Sequence, residues 1–210
     1  MLVIGIETSG AAGGVALVRG DTPIAEEALV RGLRHGRSLV PALQRVLASA
    51  RIEPEQLDLV AVTRGPGSHT GLRVGLMAAM TMARTLARPV VGIETLDALC
   101  FQAPEGAPAI VPVIPARQDR LFAAIRAGGA WIREPALVSP AELETAAPPG
   151  AVLIGPGVPA LREVLDRRRD LAAAPPADWE VRASTIARLG ARRRDLAGPP
   201  DSLVAVYFPR

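Results

Sequence analysis

The sequence predicts an α/β fold in two lobes, and three observations support that prediction. Short apolar runs rich in Val, Ile and Leu alternate with longer segments of helical spacing, as in α/β proteins. The length of 210 residues suits one large domain or two small lobes. A Pro- and Gly-rich join at 104–108 separates two halves that each begin with strands joined by short turns. We therefore predict lobes over 1–104 and 105–210, and the C-terminal segment could pack back on the first lobe.

The first half opens with three predicted strands, at 1–9, 15–20 and 22–30, which are separated by glycine turns. A helix follows over 38–51, for which Ser38 is a candidate cap and Pro41 a tolerated first-turn residue. The remaining elements of this half are a strand, a helix, a strand and a short helix, at 57–63, 71–87, 89–94 and 95–103.

The second half also begins with predicted strands joined by short turns. Strands are predicted at 109–116, 120–127, 128–138 and 151–155, and a last short strand at 202–208. Helices are predicted at 139–146, which opens with a capping pattern, and at 158–169 and 183–194. Because each half begins with strands joined by short turns and continues with strands and helices, the sequence is compatible with a duplicated α/β lobe.

The composition excludes several classes of site. All 24 basic residues are arginine, so there is no Walker-type or Schiff-base lysine. The single cysteine, Cys100, excludes an internal disulfide and a multi-cysteine zinc site. The start MLVIGIETSG lacks the basic region of a signal peptide, and no apolar run approaches the ~20 residues of a membrane span. We therefore expect a soluble cytoplasmic protein without a membrane partner.

The stretch RGPGSHTGLRVGL at 64–76 connects a predicted strand to a predicted helix, which is the setting of a phosphate-binding loop. Its spacing is G-x-G-x-x-x-G, which matches neither the dinucleotide-binding nor the Walker pattern. The loop could bind an anion, or it could only let two backbone segments approach closely. The candidate cofactor-binding residues end the first strand and begin this loop: Glu7, Thr8, Ser9, Gly65 and Gly67.

The helix after this loop carries a ridge of small residues at every fourth position, namely Gly71, Gly75, Ala79, Ala83 and Ala87. Its other faces are also apolar, so it must be covered on all sides. It is either a core helix or a helix shared between the core and a subunit interface. The candidate interface residues on this helix and the preceding one are Leu39, Leu43, Val46, Gly71, Leu72, Gly75, Leu76, Ala79, Met80 and Ala83.

Catalytic groups are scarce in the sequence. His35 and His69 lack the neighbouring histidine or carboxylate of a metal site, and the G-x-S-x-G nucleophile pattern is absent. We therefore predict no catalytic residue and no metal ligand. The arginine runs at 31–37, 167–169 and 192–194 could contact nucleic acid or could be solvated faces.

Five motifs together resemble the TsaB (YeaZ) family of bacterial tRNA threonylcarbamoyladenosine biosynthesis proteins: GIETSG, RHGRSLVPAL, VTRGPGSHTGLRVGL, PVVGIETLDAL and LIGPG. The resemblance covers nearly the whole chain, including the closing VYFPR. It implies the two-lobed actin/Hsp70-like ATPase fold, also called ASKHA or ribonuclease H-like. It implies a non-catalytic subunit that pairs with the catalytic paralogue TsaD and the ATPase TsaE to form N6-threonylcarbamoyladenosine at position 37 of ANN-reading tRNAs. It also implies a homodimer, when the chain is alone, through the helices that match 37–51 and 71–87.

The same resemblance agrees with the missing chemistry. The catalytic paralogue has a metal-binding His-x-x-x-His after the strand that matches PVVGIE, whereas GIETLDALC here has no histidine. The resemblance thus implies that the chain alone binds neither the catalytic metal nor a cofactor, that ATP or ADP could lie at the interface of the complex, and that tRNA binds through the complex. His69 departs from the family, which commonly has an aromatic residue there, and so does Pro115, where the family tends to have an acid.

Three functions follow as hypotheses. The first is the scaffold subunit. The second is an independent nucleotide-dependent enzyme of the ASKHA fold, an ATPase or a protein that fits the older glycoprotease-like label, which would use Glu7 and the glycine loop. The third is direct tRNA recognition by the arginine runs, which would make tRNA binding by this chain steeply salt-dependent.

Overall fold

The computed structural model describes residues 1–29 and 35–207, which form two compact units. The first unit contains Met1–Ala98 and Val181–Tyr207, and the second begins at Leu99 and ends at Glu180. The predicted boundary at 104/105 therefore lies six residues after the division seen here. Because Val181–Tyr207 belongs to the first unit, the helix at Ala183–Arg192 packs with the N-terminal part of the chain.

The first unit is built on a five-stranded sheet of order β3-β2-β1-β4-β5. Strands β1 to β3 form an antiparallel meander, while β4 and β5 run parallel to β1. The meander agrees with the three predicted strands and their glycine turns. The bounds are β1 Leu2–Glu7, β2 Gly14–Arg19, β3 Thr22–Ala28, β4 Leu59–Gly65 and β5 Val90–Glu94.

Helices cover both faces of this sheet. Alternate residues of β1 and β4, such as Ile4 and Val62, are buried in one core cluster with α1 and α2. On the opposite face α6 lies so close to β1 that a methyl group on Gly5 would be 2.5 Å from the Ala183 carbonyl oxygen. The bounds are α1 His35–Ala50, α2 His69–Thr85, α3 Thr95–Phe101 and α6 Ala183–Arg192.

The ends of α1 and α2 differ from the prediction. Helix α1 begins at His35, so Ser38 is not its cap and Pro41 lies in its second turn. Helix α2 begins at His69, two residues before the predicted start, and the Ser68 hydroxyl caps it by accepting a hydrogen bond from the Gly71 amide. It ends at Thr85, and Ala87 has a positive φ of 51° outside the helix, so the ridge of small residues is one member shorter than predicted.

The second unit repeats the sheet topology of the first. Its order is β10-β9-β6-β7-β8, with β6 to β8 antiparallel and β9 and β10 parallel to β6. Strands β6, β7, β8, β9 and β10 thus take the places that β1, β2, β3, β4 and β5 have in the first sheet. This correspondence is expected for a duplicated lobe. The bounds are β6 Ala109–Pro115, β7 Leu121–Ala127, β8 Ala130–Val138, β9 Val152–Ile154, β10 Ala172–Ala173, α4 Pro140–Ala146 and α5 Arg162–Arg167.

Three elements of the C-terminal half differ in detail from the sequence prediction. Strand β10 was not predicted, and the helix predicted at 158–169 is a 3-10 turn at Val158–Leu161 followed by α5. The predicted last strand does not form, because the segment after α6 pairs with β5 only at Gly198, and Pro199 and Pro200 follow at once. Among the described residues, no helix is both long and apolar enough to cross a membrane.

Candidate functional site

Glu7, Ser9 and Thr63, which we call the Glu7 cluster, lie at the carboxyl ends of the adjacent strands β1 and β4. Glu7 is 1% exposed, and its Oε1 accepts hydrogen bonds from the Ser9 amide at 2.5 Å and the Ser9 hydroxyl at 2.6 Å. The Thr63 hydroxyl donates to the other oxygen, Oε2. Both carboxyl oxygens are therefore used by the chain itself.

Burial raises the pKa of the Glu7 carboxyl above its ordinary value, and the hydrogen bonds from Ser9 and Thr63 oppose that rise. A carboxyl with a raised pKa can serve as an acid or base when substrate reaches it. This one is enclosed, and its partners are hydroxyl and amide groups. The Glu7 cluster has the chemistry of a structural tie between two strand ends.

The glycine loop after β4 packs against the turn after β1. The Ser68 amide donates a 2.7 Å hydrogen bond to the Ser9 carbonyl, and a methyl group on Gly67 would lie 2.5 Å from that same oxygen. The Gly71 amide donates to the Ser68 hydroxyl at 3.2 Å. Two amides at the start of α2, which an anion site would need, are thus used within the chain. The structure brings Glu7, Ser9 and Gly67 together, as the sequence predicted, and their binding of a cofactor stays a prediction.

The small ridge of α2 faces the interior of the first unit. Gly71, Gly75, Ala79 and Ala83 are all buried. A methyl group on Gly75 would overlap Thr8 Oγ1, so the glycine permits close contact between α2 and the end of β1. Among the described residues Thr8 Oγ1 has no hydrogen-bond partner. Close packing at the small ridge therefore occurs within this chain, and a role of α2 at a subunit interface stays a prediction.

The candidate interface, whose role stays a prediction, is largely buried in the single chain. Its larger apolar members are also buried, since they belong to the core under α1 and α2: Leu39, Leu43, Val46, Leu72 and Leu76. Met80 is half-buried. Met80 therefore has the most accessible side chain of the predicted set in the single chain. The sequence pattern does not show which apolar face of α2 its own sheet covers.

The exposed apolar surface of these helices is carried by other residues. Val40 of α1 is 55% exposed and Met77 of α2 is 61% exposed, while Val74 is half-buried between the two helices. A methyl group on Gly36 would lie 3.9 Å from Val74 Cγ2, so Gly36, one turn before Val40, lies beside α2. We call Val40, Val74 and Met77 the α1/α2 face.

The remaining candidate groups are the two histidines and the cysteine. Within residues 1–29 and 35–207, no group of three His, Cys, Asp or Glu side chains could hold a metal ion. Cys100 is buried and is not in a disulfide. The ring of His69 stacks on Tyr207, with centroids 4.5 Å apart and planes 9° from parallel. The side chain of His35 lies outside the described residues.

The arginine runs are largely neutralised by acids. Where the structure describes them, five of these arginines form ion pairs: Arg167–Glu144, Arg168–Asp170, Arg169–Asp166, Arg192–Asp21 and Arg193–Asp97. The run at 31–37 lies mostly outside the described residues. Paired arginines offer less positive potential to a phosphate backbone, so these pairs weigh against direct tRNA recognition by the two later runs.

Sequence reasoning missed two parts of this region. Thr63 is the only polar residue in the predicted strand LDLVAVT besides Asp58, and its position at the strand end was the signal for a partner of Glu7. The stack of Tyr207 on His69 had no comparable signal, because the two rings are 138 positions apart and no pattern joins them.

Comparisons with known proteins identify the family. A family model described as TsaD, tRNA N6-adenosine threonylcarbamoyltransferase, matches residues 31–172, which is more than half of the chain. The chain belongs to the TsaD family. Within the TsaD family it is similar to the tRNA threonylcarbamoyladenosine biosynthesis protein TsaB of Bacillus subtilis (strain 168), with 32% identity over 122 residues, 58% of this chain and 53% of the relative. The chain spans about half the length of the curated relatives that it matches.

Solved structures confirm the ASKHA fold of this TsaD-family chain. YeaZ from Pseudomonas aeruginosa superposes with a TM-score of 0.81 at 23% identity, over 98% of this chain and 100% of that chain. The ROK hexokinase from Thermus thermophilus superposes with a TM-score of 0.55 at 13% identity, over 92% of this chain and 100% of that chain. The predicted resemblance to TsaB and YeaZ is thereby confirmed.

Proposed function

We propose that this TsaD-family chain is a non-catalytic subunit in the formation of N6-threonylcarbamoyladenosine at position 37 of ANN-reading tRNAs, and that it pairs with a TsaD-like catalytic paralogue. The names of its relatives, TsaB and TsaD, support the pathway. The observation that carries the subunit role is the α1/α2 face, an exposed apolar surface in a unit whose buried carboxyl is enclosed by its own chain.

The chemistry of the α1/α2 face suits a protein partner. Methionine is flexible and polarizable, so it packs well against surfaces of varied shape. Arg73 lies one turn before Met77 and is exposed, so it adds a cation to the edge of the apolar surface. A partner helix with an apolar stripe and a flanking acid would complement both features. In the absence of the paralogue, a second copy of the chain could cover the same surface as a homodimer.

The remaining parts of the proposal concern the assembled complex. A TsaE-like ATPase would join the pair, ATP or ADP would bind at the interface of the complex, and tRNA would bind through the complex. The Ser68 and Gly71 amides already donate hydrogen bonds within the chain. This supports a nucleotide site outside the glycine loop that precedes α2. Isothermal titration of the isolated chain with ATP and Mg²⁺ tests this point. Micromolar binding with turnover would favour the independent enzyme instead.

The α1/α2 face is tested by Met77→Glu. Burial of a methionine side chain contributes about 1.5–3 kcal/mol, so a glutamate there should weaken association with the TsaD-like paralogue by roughly 10- to 150-fold. The matched control is Ile132→Glu, since Ile132 is 60% exposed in the second unit. Pull-down and light-scattering measurements should show loss for Met77→Glu alone. Equal association of both variants with the paralogue would refute this surface.

A further inference from the structure

Residues 197–207, which we call the strap, follow α6 and run along α2 from its C-terminal end to its N-terminal end. At one end Gly198 and Val90 exchange two backbone hydrogen bonds of 3.0 Å, and Asp201 forms an ion pair with Arg84 in the last turn of α2. At the other end the ring of Tyr207 stacks on His69, the first residue of α2.

The middle of the strap is extended and turns alternate side chains inward. Leu203 and Ala205 are partly buried against the core of the first unit, whereas Val204 between them is 65% exposed. Gly92 of β5 leaves the space for Leu203, because a methyl group there would lie 2.9 Å from Leu203 Cδ1. The strap therefore packs on the first unit through Leu203 and Ala205, with Gly92 leaving the space that Leu203 occupies.

The end of the strap closes over the connection between β4 and α2. The Val206 amide donates a 2.7 Å hydrogen bond to the Arg64 carbonyl. The Val206 carbonyl lies against Gly65, where a methyl group would come within 2.5 Å of it. The glycine loop is thus enclosed by Ser9 on one side and by the strap on the other.

The contacts that hold the strap are individually weak. The side chains of the Arg84–Asp201 pair are 63% and 76% exposed, and ion pairs in water contribute little. Tyr207 is 44% exposed in its stack. Within residues 203–207, the bond from the Val206 amide to the Arg64 carbonyl is the one described backbone hydrogen bond to the sheet. Segments held in this way open at free energies well below that of global unfolding.

We propose that the strap is a lid, which opens locally while both units stay folded and thereby uncovers the glycine loop and the first turn of α2. In the closed state, its Val206 contacts and its Tyr207 stack fix this loop. In the open state, the Arg64 carbonyl and the flank of Gly65 become accessible. Access to this end of the first unit is therefore controlled by the chain itself.

Native-state hydrogen exchange of the full chain tests the lid. The Val206 amide should exchange through a local opening whose rate depends little on urea, because little surface is exposed. The amides of β1 should instead follow the steep urea dependence of global unfolding. If the Val206 amide shows the same urea dependence as β1, the strap is an integral part of the core and the lid is refuted.

Two variants sharpen the test. Leu203→Asp places a charge in the groove and should speed exchange across 64–72 and 203–207 by at least about tenfold, with β1 and the second unit unchanged. Val204→Ala is the matched control in the same segment and should change nothing, since Val204 points to solvent. Tyr207→Ala removes the stack on His69 and leaves the core intact. It should speed exchange of the Val206 amide, with or without faster exchange of the glycine-loop amides. Unchanged exchange in both Leu203→Asp and Tyr207→Ala, or an equal rise throughout the chain in Leu203→Asp, contradicts the proposal.

Discussion

Substitution of Gly75 by alanine tests the close contact between α2 and β1. In an ordinary helix interior, this change stabilises a protein by up to about 1 kcal/mol, because glycine is a poor helix former. Here the added methyl group would overlap Thr8 Oγ1, and Thr8 is 0% exposed at the end of β1. The clash and the propensity gain therefore act in opposite directions.

The expected net effect is a loss of stability. Overpacking of a filled core costs about 1–3 kcal/mol, and the helix propensity returns up to about 1 kcal/mol. The free energy of unfolding should fall by roughly 1–2 kcal/mol. For a chain of this length, that corresponds to a decrease in Tm of about 2–8 °C.

Thermal and urea unfolding followed by circular dichroism would measure this effect. Gly36→Ala is the matched control, because a methyl group there lies 3.9 Å from Val74 Cγ2 and meets no clash. It should leave Tm unchanged or raise it. In the double variant Thr8→Ala/Gly75→Ala, the obstructing hydroxyl is gone, so Gly75→Ala should cost less than in the wild-type background. An increase in Tm for Gly75→Ala alone would refute the packing described here.

Two further predictions concern Glu7 and α4. Because burial raises the pKa of Glu7 above 4.5, the native state holds its proton more tightly than the unfolded state, so stability should fall as pH rises from 4.5 through the native pKa. Glu7→Gln should remove that decline in urea unfolding between about pH 4 and pH 8, and an unaltered pH profile would contradict the burial argument. Ser139→Ala should cost the second unit about 1 kcal/mol, because Ser139 and Glu142 form a capping box at the start of α4. Thr145→Ala, on the exposed side of α4, is its control, and an equal loss in both variants would exclude a capping effect.

Much of the fold follows from local patterns. The tight glycine turns between β1, β2 and β3 predict an antiparallel meander, and the longer helical connections before β4 and β5 predict parallel strands. The start of α1 was missed because Pro41 suggested a first turn, whereas Pro41 lies in the second turn of the helix. The predicted last strand failed because the apolar run at 203–206 also suits an extended segment that packs on the unit without joining its sheet.

The location of the candidate site could be predicted from the sequence, but the residues of α2 that face solvent could not. Glu7, Ser9 and the glycine loop converge because the carboxyl ends of adjacent parallel strands meet at one edge of a sheet. The periodicity of α2 shows apolar residues on every face, and it cannot show that Gly75 faces Thr8 while Met77 faces solvent. That choice depends on a contact between residues 67 positions apart in the sequence.

The most direct test of the proposed subunit role is reconstitution of tRNA threonylcarbamoylation from purified components with one subunit omitted at a time. The chain, the TsaD-like paralogue and the TsaE-like ATPase would be combined with an activated threonylcarbamoyl donor, ATP, Mg²⁺ and an ANN-reading tRNA, and N6-threonylcarbamoyladenosine would be measured at position 37. We predict that product forms with all subunits present, is lost when this chain is omitted, and is lost again with Met77→Glu but not with Ile132→Glu. Full product formation in the absence of this chain would contradict the proposal.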